Sequence, residues 1–76
     1  MKIRTLDKVD GVAEVPADRV SHPVAEDGTV VAPKSEPLVR RGIAYCHYRL
    51  PKGQVFDKVP DGWARELIGL KLARKA

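Results

Sequence analysis

The chain has 76 residues, a length that allows one domain (residues 1–76), and its single cysteine excludes an intrachain disulfide. No apolar run approaches the ~20 residues of a membrane span, and the amino terminus lacks the apolar segment of a secretory signal. Residues 1–38 carry five basic and seven acidic side chains, whereas residues 39–76 carry nine and three. We therefore expect a soluble protein inside a cell, whose small core gains stability by assembly with other chains.

The first sixteen residues predict two short strands. Residues 2–6 alternate basic and apolar side chains, which favours a first strand. Asp10-Gly11 is a strong turn signal, and residues 12–15 after it have the composition of a second strand that ends at Pro16.

The middle of the chain is interrupted by prolines at positions 16, 23, 33 and 37. Asp27-Gly28 predicts a second turn, and only residues 29–32 have the β-branched content of a strand. We expect residues 16–42 to form extended loops or arms outside this strand. Loops of such length are unusual in a small domain, which indicates that they lie against another molecule.

Residues 44–50 form the clearest predicted strand of the chain. Alternation would place one set of side chains on each face: Ala44, Cys46, Tyr48 and Leu50 on the first, and Tyr45, His47 and Arg49 on the second. Residues 51–54 are typical of a tight reversal. We expect residues 55–59 to return antiparallel to this strand.

A helix of about two turns is predicted after the last proline. Pro60 fits the first turn, Asp61 favours the positive end of the helix dipole, and Gly69 can end the helix in a left-handed conformation. Trp63 and Leu67 lie four residues apart and give the helix an apolar face. The fold class expected is mainly β, a small barrel- or sandwich-like sheet with one short carboxy-terminal helix and extended proline-rich arms.

Candidate partner-binding residues are one aromatic side chain and several dispersed basic ones. Trp63 suits the core, packed against Tyr48 and Phe56, and would also serve as an anchor on a partner surface. The basic candidates could contact phosphates or an acidic protein surface: Arg40, Arg41, Lys71, Arg74 and Lys75. A solvated basic face is the simpler interpretation, and no known nucleic-acid-binding motif is present.

Catalysis and metal binding find little support in the residue pattern. Cys46 and His47 are adjacent, so in a strand they point to opposite faces and cannot form a nucleophile–base pair. Cys46 suits the core, and distant His22 is the only helper that the sequence offers to His47. These three residues lack the paired spacing of a metal site. We expect no enzymatic activity, no metal and no cofactor.

One further pattern joins the last third of the chain to the basic-apolar amino terminus, Met1-Lys2-Ile3-Arg4. Its positions are Gly53, Val55, Phe56, Val59, Pro60, Ala64, Leu67, Ile68, Leu72 and Ala73. With these residues the chain resembles a group of very small bacteriophage proteins encoded among head and tail genes, and the resemblance covers about 24 of the 76 residues and the amino terminus. Lys71 departs from the pattern, which usually has glycine before the Leu-Ala pair. The resemblance implies a small β-structure closed by a short helix, with a structural role in the virion.

We therefore expect a non-enzymatic minor structural protein of a tailed-phage virion, assembled in the host cytoplasm. It would bind the major capsid protein, as a decoration or cement protein, or adjoining head–tail proteins, in a symmetric assembly that could include its own copies. The alternative is a small phage-encoded regulator or inhibitor that binds a host protein or nucleic acid through the basic half. A toxin–antitoxin or anti-defence inhibitor is a third interpretation. No membrane partner is expected.

Overall fold

Two antiparallel sheets and one α-helix form the fold, and the computed structural model describes all 76 residues. The elements are β1 (Ile3–Thr5), β2 (Val9–Pro16), a 3-10 turn (Ala17–Arg19), β3 (Val24–Ala25), β4 (Leu38–Arg40), β5 (Ile43–Leu50), β6 (Val55–Asp57), α1 (Asp61–Gly69) and β7 (Ala73–Lys75). One sheet has the order β3-β6-β1-β7 and the other β2-β5-β4. The expected mainly β fold with one short carboxy-terminal helix is confirmed, but the strands do not close into a barrel.

The three-stranded sheet is built on two long strands. β2 and β5 pair along all eight residues of each, from Val9 opposite Leu50 to Pro16 opposite Ile43. The predicted alternation of β5 is confirmed, because its even-numbered residues are buried and its odd-numbered residues are half-buried or exposed. We call the buried face of this sheet its inner face and the other its outer face.

The predicted turn at Asp10-Gly11 is wrong, because β2 runs straight through both residues. Gly11 lies opposite Tyr48 and has no left-handed backbone conformation. A Cβ atom at Gly11 would lie 3.6 Å from the indole nitrogen of Trp63. The glycine therefore lies in a strand beneath the tryptophan ring on the inner face, and does not turn the chain.

The four-stranded sheet consists of strands of two or three residues and is anchored at Thr5. The buried hydroxyl of Thr5 donates to the carbonyl of Pro51 at 2.7 Å and accepts from the N–H of Gln54 at 3.1 Å. The predicted reversal over residues 51–54 is confirmed, with Gly53 at φ +77°. These bonds hold the reversal against β1.

The expectation that residues 55–59 return along β5 is wrong. β6 pairs with β1 and β3, with Phe56 opposite both Ile3 and Ala25. Both edges of β5 are already occupied, one by β2 and one by β4. The chain therefore crosses from one sheet to the other at the reversal.

The helix begins and ends close to the predicted residues. Pro60 lies one residue before α1, and Asp61 is in the first turn as expected. Gly69 is the last helical residue and is not left-handed, so that prediction is wrong; Lys71 takes the left-handed position with φ +61°. The N–H groups of Lys71 and Leu72 donate to the carbonyls of Ile68 and Leu67, at 3.0 and 2.9 Å, which is a Schellman motif.

The structure does not show the extended proline-rich arms expected over residues 16–42. β3 and β4 belong to the two sheets, and backbone bonds of 2.8 and 2.7 Å tie Val31 to Pro23 and Lys34 to His47. The strand predicted over residues 29–32 is reduced to one bridge, Val24 with Val30. The radius of gyration, 11.5 Å, is that of a compact chain of this length, for which about 11 Å is expected. The turn at Asp27-Gly28 is confirmed, with Gly28 at φ +87°.

Candidate binding surface

Trp63 lies in the core, as the first of its two interpretations predicted. Its side chain is 5% exposed, and its ring centroid lies 5.6 Å from that of Tyr48. The ring covers the inner face of the three-stranded sheet at Gly11. A partner could reach only the edge that lines a small depression with Val12 and Glu66.

Beneath Trp63, the hydroxyl of Tyr48 shares a 2.6 Å hydrogen bond with Nδ1 of His22. Burial raises the pKa of Tyr48, and the neighbouring thiol of Cys46 raises it further. Cys46 is buried without exposed surface. His22 therefore supports a core tyrosine, and does not assist His47 as the sequence suggested.

His47 lies on the outer face and has a carboxylate partner that sequence reasoning missed. Its Nε2–H donates to Oδ1 of Asp10, and the other carboxylate oxygen of Asp10 lies 3.7 Å from Nζ of Lys34 and 3.5 Å from Nε of Arg49. The hydrogen bond from His47, together with these cations, lowers the pKa of Asp10. Cys46 and His47 do point to opposite faces as predicted, so the His47–Asp10 pair has no thiol beside it.

The diagonal position of the pair explains why it was missed. Asp10 is opposite Arg49, and His47 is opposite Val12, so their contact follows only from the register of β2 against β5. Since Asp10 was assigned to a turn, no strand position was available for this argument. The cations of Lys34 and Arg49 therefore more than balance the single carboxylate of this cluster.

Two adjacent, strongly exposed apolar side chains lie on β4, the edge strand of the three-stranded sheet. Leu38 is 57% exposed and Val39 is 56% exposed. Leu38 is opposite Tyr45 on the outer face, and Val39 is opposite Ala44 on the inner face. We call the residues Leu38–Arg40 with their free backbone edge the β4 margin. Apolar residues on both faces of an unpaired edge are typical of a site where another chain binds.

A tight hairpin determines which backbone groups of the β4 margin are free. Arg40 is opposite Ile43, and the two loop residues Arg41 and Gly42 have φ +50° and +75°, the signature of a type I′ turn. In such a hairpin the pair that flanks the loop is hydrogen-bonded, so Leu38 and Arg40 direct their N–H groups towards β5. The N–H and C=O of Val39 therefore point away from the sheet.

The basic candidates do not form one site. Arg40 and Arg41 lie at the tip of the hairpin, whereas Arg74 and Lys75 lie on β7 of the other sheet and Lys71 follows α1. None of the five takes part in an ion pair. Arg74 is directly opposite Arg4 on β1, which places two like charges side by side.

The largest depression, about 500 Å³, lies where the end of β2 meets the start of α1. The ammonium group of Met1 bonds the carbonyl of Val59 at 2.8 Å and lies 3.2 Å from Oδ1 of Asp61. Arg19 and Lys58 line the depression together with Glu14. Charges of both signs thus face this depression, and no single ligand charge is favoured.

Comparison with known proteins gives no relative: no protein-family model, no curated protein and no solved structure matches the chain. No cluster of three or more side chains is arranged to hold a metal ion. The single helix, with nine residues, is too short to cross a membrane. The β4 margin and the resemblance of the last third of the chain are therefore the two indications of function.

Proposed function

We propose that the protein is a non-enzymatic structural component of a tailed-phage virion that binds neighbouring virion proteins through the β4 margin. The single observation that carries this proposal is the exposure of Leu38 and Val39 on a free sheet edge. The resemblance of residues 53–76 to small head- and tail-gene products supplies the class of assembly. The partner is the capsid shell or an adjoining head–tail protein.

The mechanism is adhesion by burial of apolar surface and by backbone pairing. Burial contributes roughly 25 cal/mol per Å² of apolar surface removed from water and is not screened by salt. The outward N–H and C=O of Val39 can continue the sheet into a partner strand. Many symmetric copies then make a modest contact per copy sufficient.

The test is attachment to purified phage particles, followed by mass spectrometry and sedimentation with the particles. Leu38→Asp places a charge at the margin and should remove the protein from the particles. Val30→Asp is the matched control, because Val30 is equally exposed, 56%, but lies outside the three-stranded sheet. Both variants should keep the melting temperature of the wild type. Retention of Leu38→Asp on the particles would refute the proposal.

A second candidate function, binding of nucleic acid, is favoured by the pair Arg4 and Arg74. Their side chains are neighbours across β1 and β7 without an acidic partner, and Lys75 lies on the same strand. Phosphate contacts would release counterions, so binding through six contacts should fall about a thousandfold between low and moderate salt. Adhesion by apolar burial should persist.

Substitution separates these two candidates as well. Replacement of Lys71, Arg74 and Lys75 by Gln should change particle attachment only slightly if the β4 margin carries it. We expect retention on particles at high salt and only weak, salt-sensitive DNA binding. Loss of function in the triple variant, together with normal function of Leu38→Asp, would favour the nucleic-acid interpretation.

A further inference from the structure

The partner strand that best fits the β4 margin is β4 itself. The free edge presents one outward N–H, that of Val39, and Pro37, which immediately precedes β4, has only a carbonyl to offer. Proline on the outward edge costs no ladder bond within this sheet. An antiparallel partner must offer a carbonyl opposite Val39, which Pro37 of a second copy can do, while the outward carbonyl of Val39 stays open to water.

The side chains along the edge are self-complementary in charge. Arg40 is the last residue of β4 and Glu36 lies two residues before its start, and neither takes part in an ion pair. When β4 is extended to Glu36 and paired antiparallel with a second copy about Leu38, Glu36 of each copy comes opposite Arg40 of the other. Opposite charges at facing positions stabilise a strand pair, and like charges destabilise it.

We propose that two copies of the chain pair antiparallel through β4, across a two-fold axis at Leu38. In this register Leu38 is opposite Leu38, and two Glu36–Arg40 pairs flank it. The N–H of Val39 in each copy donates to the carbonyl of Pro37 in the other. The interface is isologous, since each copy offers the same surface.

The dimer would join the three-stranded sheets of the two copies into one sheet of six strands. On each outer face Glu14, Tyr45 and Leu38 lie opposite one another in a row across β2, β5 and β4. The two-fold axis doubles this row, so that the apolar side chains of both copies become continuous. This inference deepens the proposed function and rests on its interpretation of β4 as the binding margin: a second copy takes the backbone edge, and the doubled apolar row remains for the neighbouring virion protein.

Charge exchange tests the pairing and its register together. Glu36→Arg alone and Arg40→Glu alone each place like charges opposite one another, and should weaken dimerisation at least about tenfold. An equimolar mixture of the two variants should recover the wild-type affinity, because in a mixed dimer each position 36 again meets an opposite charge at position 40. The double variant should recover it also. Glu26→Arg and Arg65→Glu are controls at positions away from β4 and should dimerise as the wild type does.

The measurement is the molar mass of the purified protein by sedimentation over a concentration series. The proposal predicts a mass that rises towards twice the monomer mass in the wild type, the mixture and the double variant. A wild type that stays monomeric at every concentration overturns it, and so do single variants that dimerise normally or a mixture that does not recover. Val39→Pro removes the outward N–H without removing a ladder bond within the sheet, and should give a folded monomer.

The outcomes for the dimer and for the function remain distinguishable. Dimerisation is measured on the protein alone, and attachment is measured on particles. A dimer that does not attach contradicts the proposed function and leaves the pairing intact. A monomer that attaches, and that loses attachment in Leu38→Asp, contradicts the pairing only.

Discussion

Two parts of the inner face of the three-stranded sheet, the β2 side and the β4 side, differ in what covers them. At β2 and β5 the inner face is covered by α1, and Trp63 packs over Gly11 and Tyr48. At β4 the same inner face continues to Val39, which is opposite buried Ala44 yet more than half exposed. Both sides are apolar, but the chain supplies a cover for only one.

A chain of this size cannot cover all the apolar residues of its sheet. A domain of 76 residues has an expected stability of roughly 4–11 kcal/mol, and one helix covers only part of a sheet. Solvent exposure of Leu38 and Val39 gives no stability to the isolated chain. These residues become useful only when a second surface covers them, which is why we assign the β4 margin to assembly.

Removal of the cover on the β2 side should have the largest effect on stability. Trp63→Ala leaves a cavity against Tyr48 and should destabilise the fold by about 3–5 kcal/mol, a large share of the expected stability. Urea denaturation followed by circular dichroism measures it. Val39→Ala is the control on the same inner face and should change stability by less than about 0.5 kcal/mol. Equal effects at both positions would contradict the difference between the two sides.

A smaller effect is expected under the same cover, at the hydroxyl of Tyr48. Tyr48→Phe removes the bond to His22 and should cost about 1 kcal/mol, whereas Tyr45→Phe on the outer face should cost less. Urea denaturation at neutral pH gives both values. A larger loss for Tyr45→Phe would show that the outer face, and not the covered side, holds the sheet.

The raised pKa of Tyr48 also predicts a pH dependence. The unfolded chain ionises this tyrosine near its ordinary pKa of 10.0, and the folded chain does so only at higher pH. Its contribution to stability is therefore fully present below pH 10 and is lost as the pH rises beyond it. The advantage of the wild type over Tyr48→Phe should shrink in alkaline solution. A difference that stays constant to about pH 11 would contradict the shift.

The end of the covering helix offers a stabilising change. Lys71 is left-handed, a conformation that costs a non-glycine residue about 1 kcal/mol, so Lys71→Gly should raise stability by up to that amount. Leu70→Gly is the neighbouring control: Leu70 has φ −83°, and glycine there should lower stability. Thermal unfolding distinguishes the two signs. Neither change should alter dimerisation, since both lie outside the β4 margin.

The smallest effect concerns the outer face at Asp10. Because His47 and the cations beside it lower the pKa of Asp10, the carboxylate stabilises the fold above its unfolded pKa, and that contribution is lost as the pH falls through the folded value. Asp10→Asn should therefore be slightly less stable than the wild type near neutral pH. The two should converge in acid, below about pH 4. A difference that grows in acid would contradict the pKa direction.

The sequence predicted those elements whose structure depends on neighbouring residues alone. The alternation of β5, the reversal at Gly53 and the apolar face of α1 follow from side-chain periodicity and turn chemistry. The predictions at Gly11 and Gly69 were wrong because a glycine signal does not reveal whether the residue turns the chain, lies in a strand beneath a distant ring, or precedes a left-handed lysine. The pairing of β6 with β1 required knowing that both edges of β5 were occupied.

The candidate site was harder to predict than the fold. Trp63 was identified from its residue type, but its burial depends on Tyr48 and Gly11 from two other strands. Leu38 and Val39 were not singled out, because the prolines around them indicated an arm. The adjacent sequence Arg41-Gly42 was the signal that could have revealed the hairpin, since a two-residue loop with glycine favours a type I′ turn.

The most direct test of the β4 margin is amide hydrogen exchange at three consecutive residues. Leu38 and Arg40 direct their N–H groups to β5 and should be protected in dilute solution, whereas Val39 should exchange at the rate of an unprotected amide. On assembly, at high protein concentration or on particles, Val39 should become protected while its neighbours change little. If Val39 still exchanges at the unprotected rate in the assembled state, the β4 margin is not the binding surface.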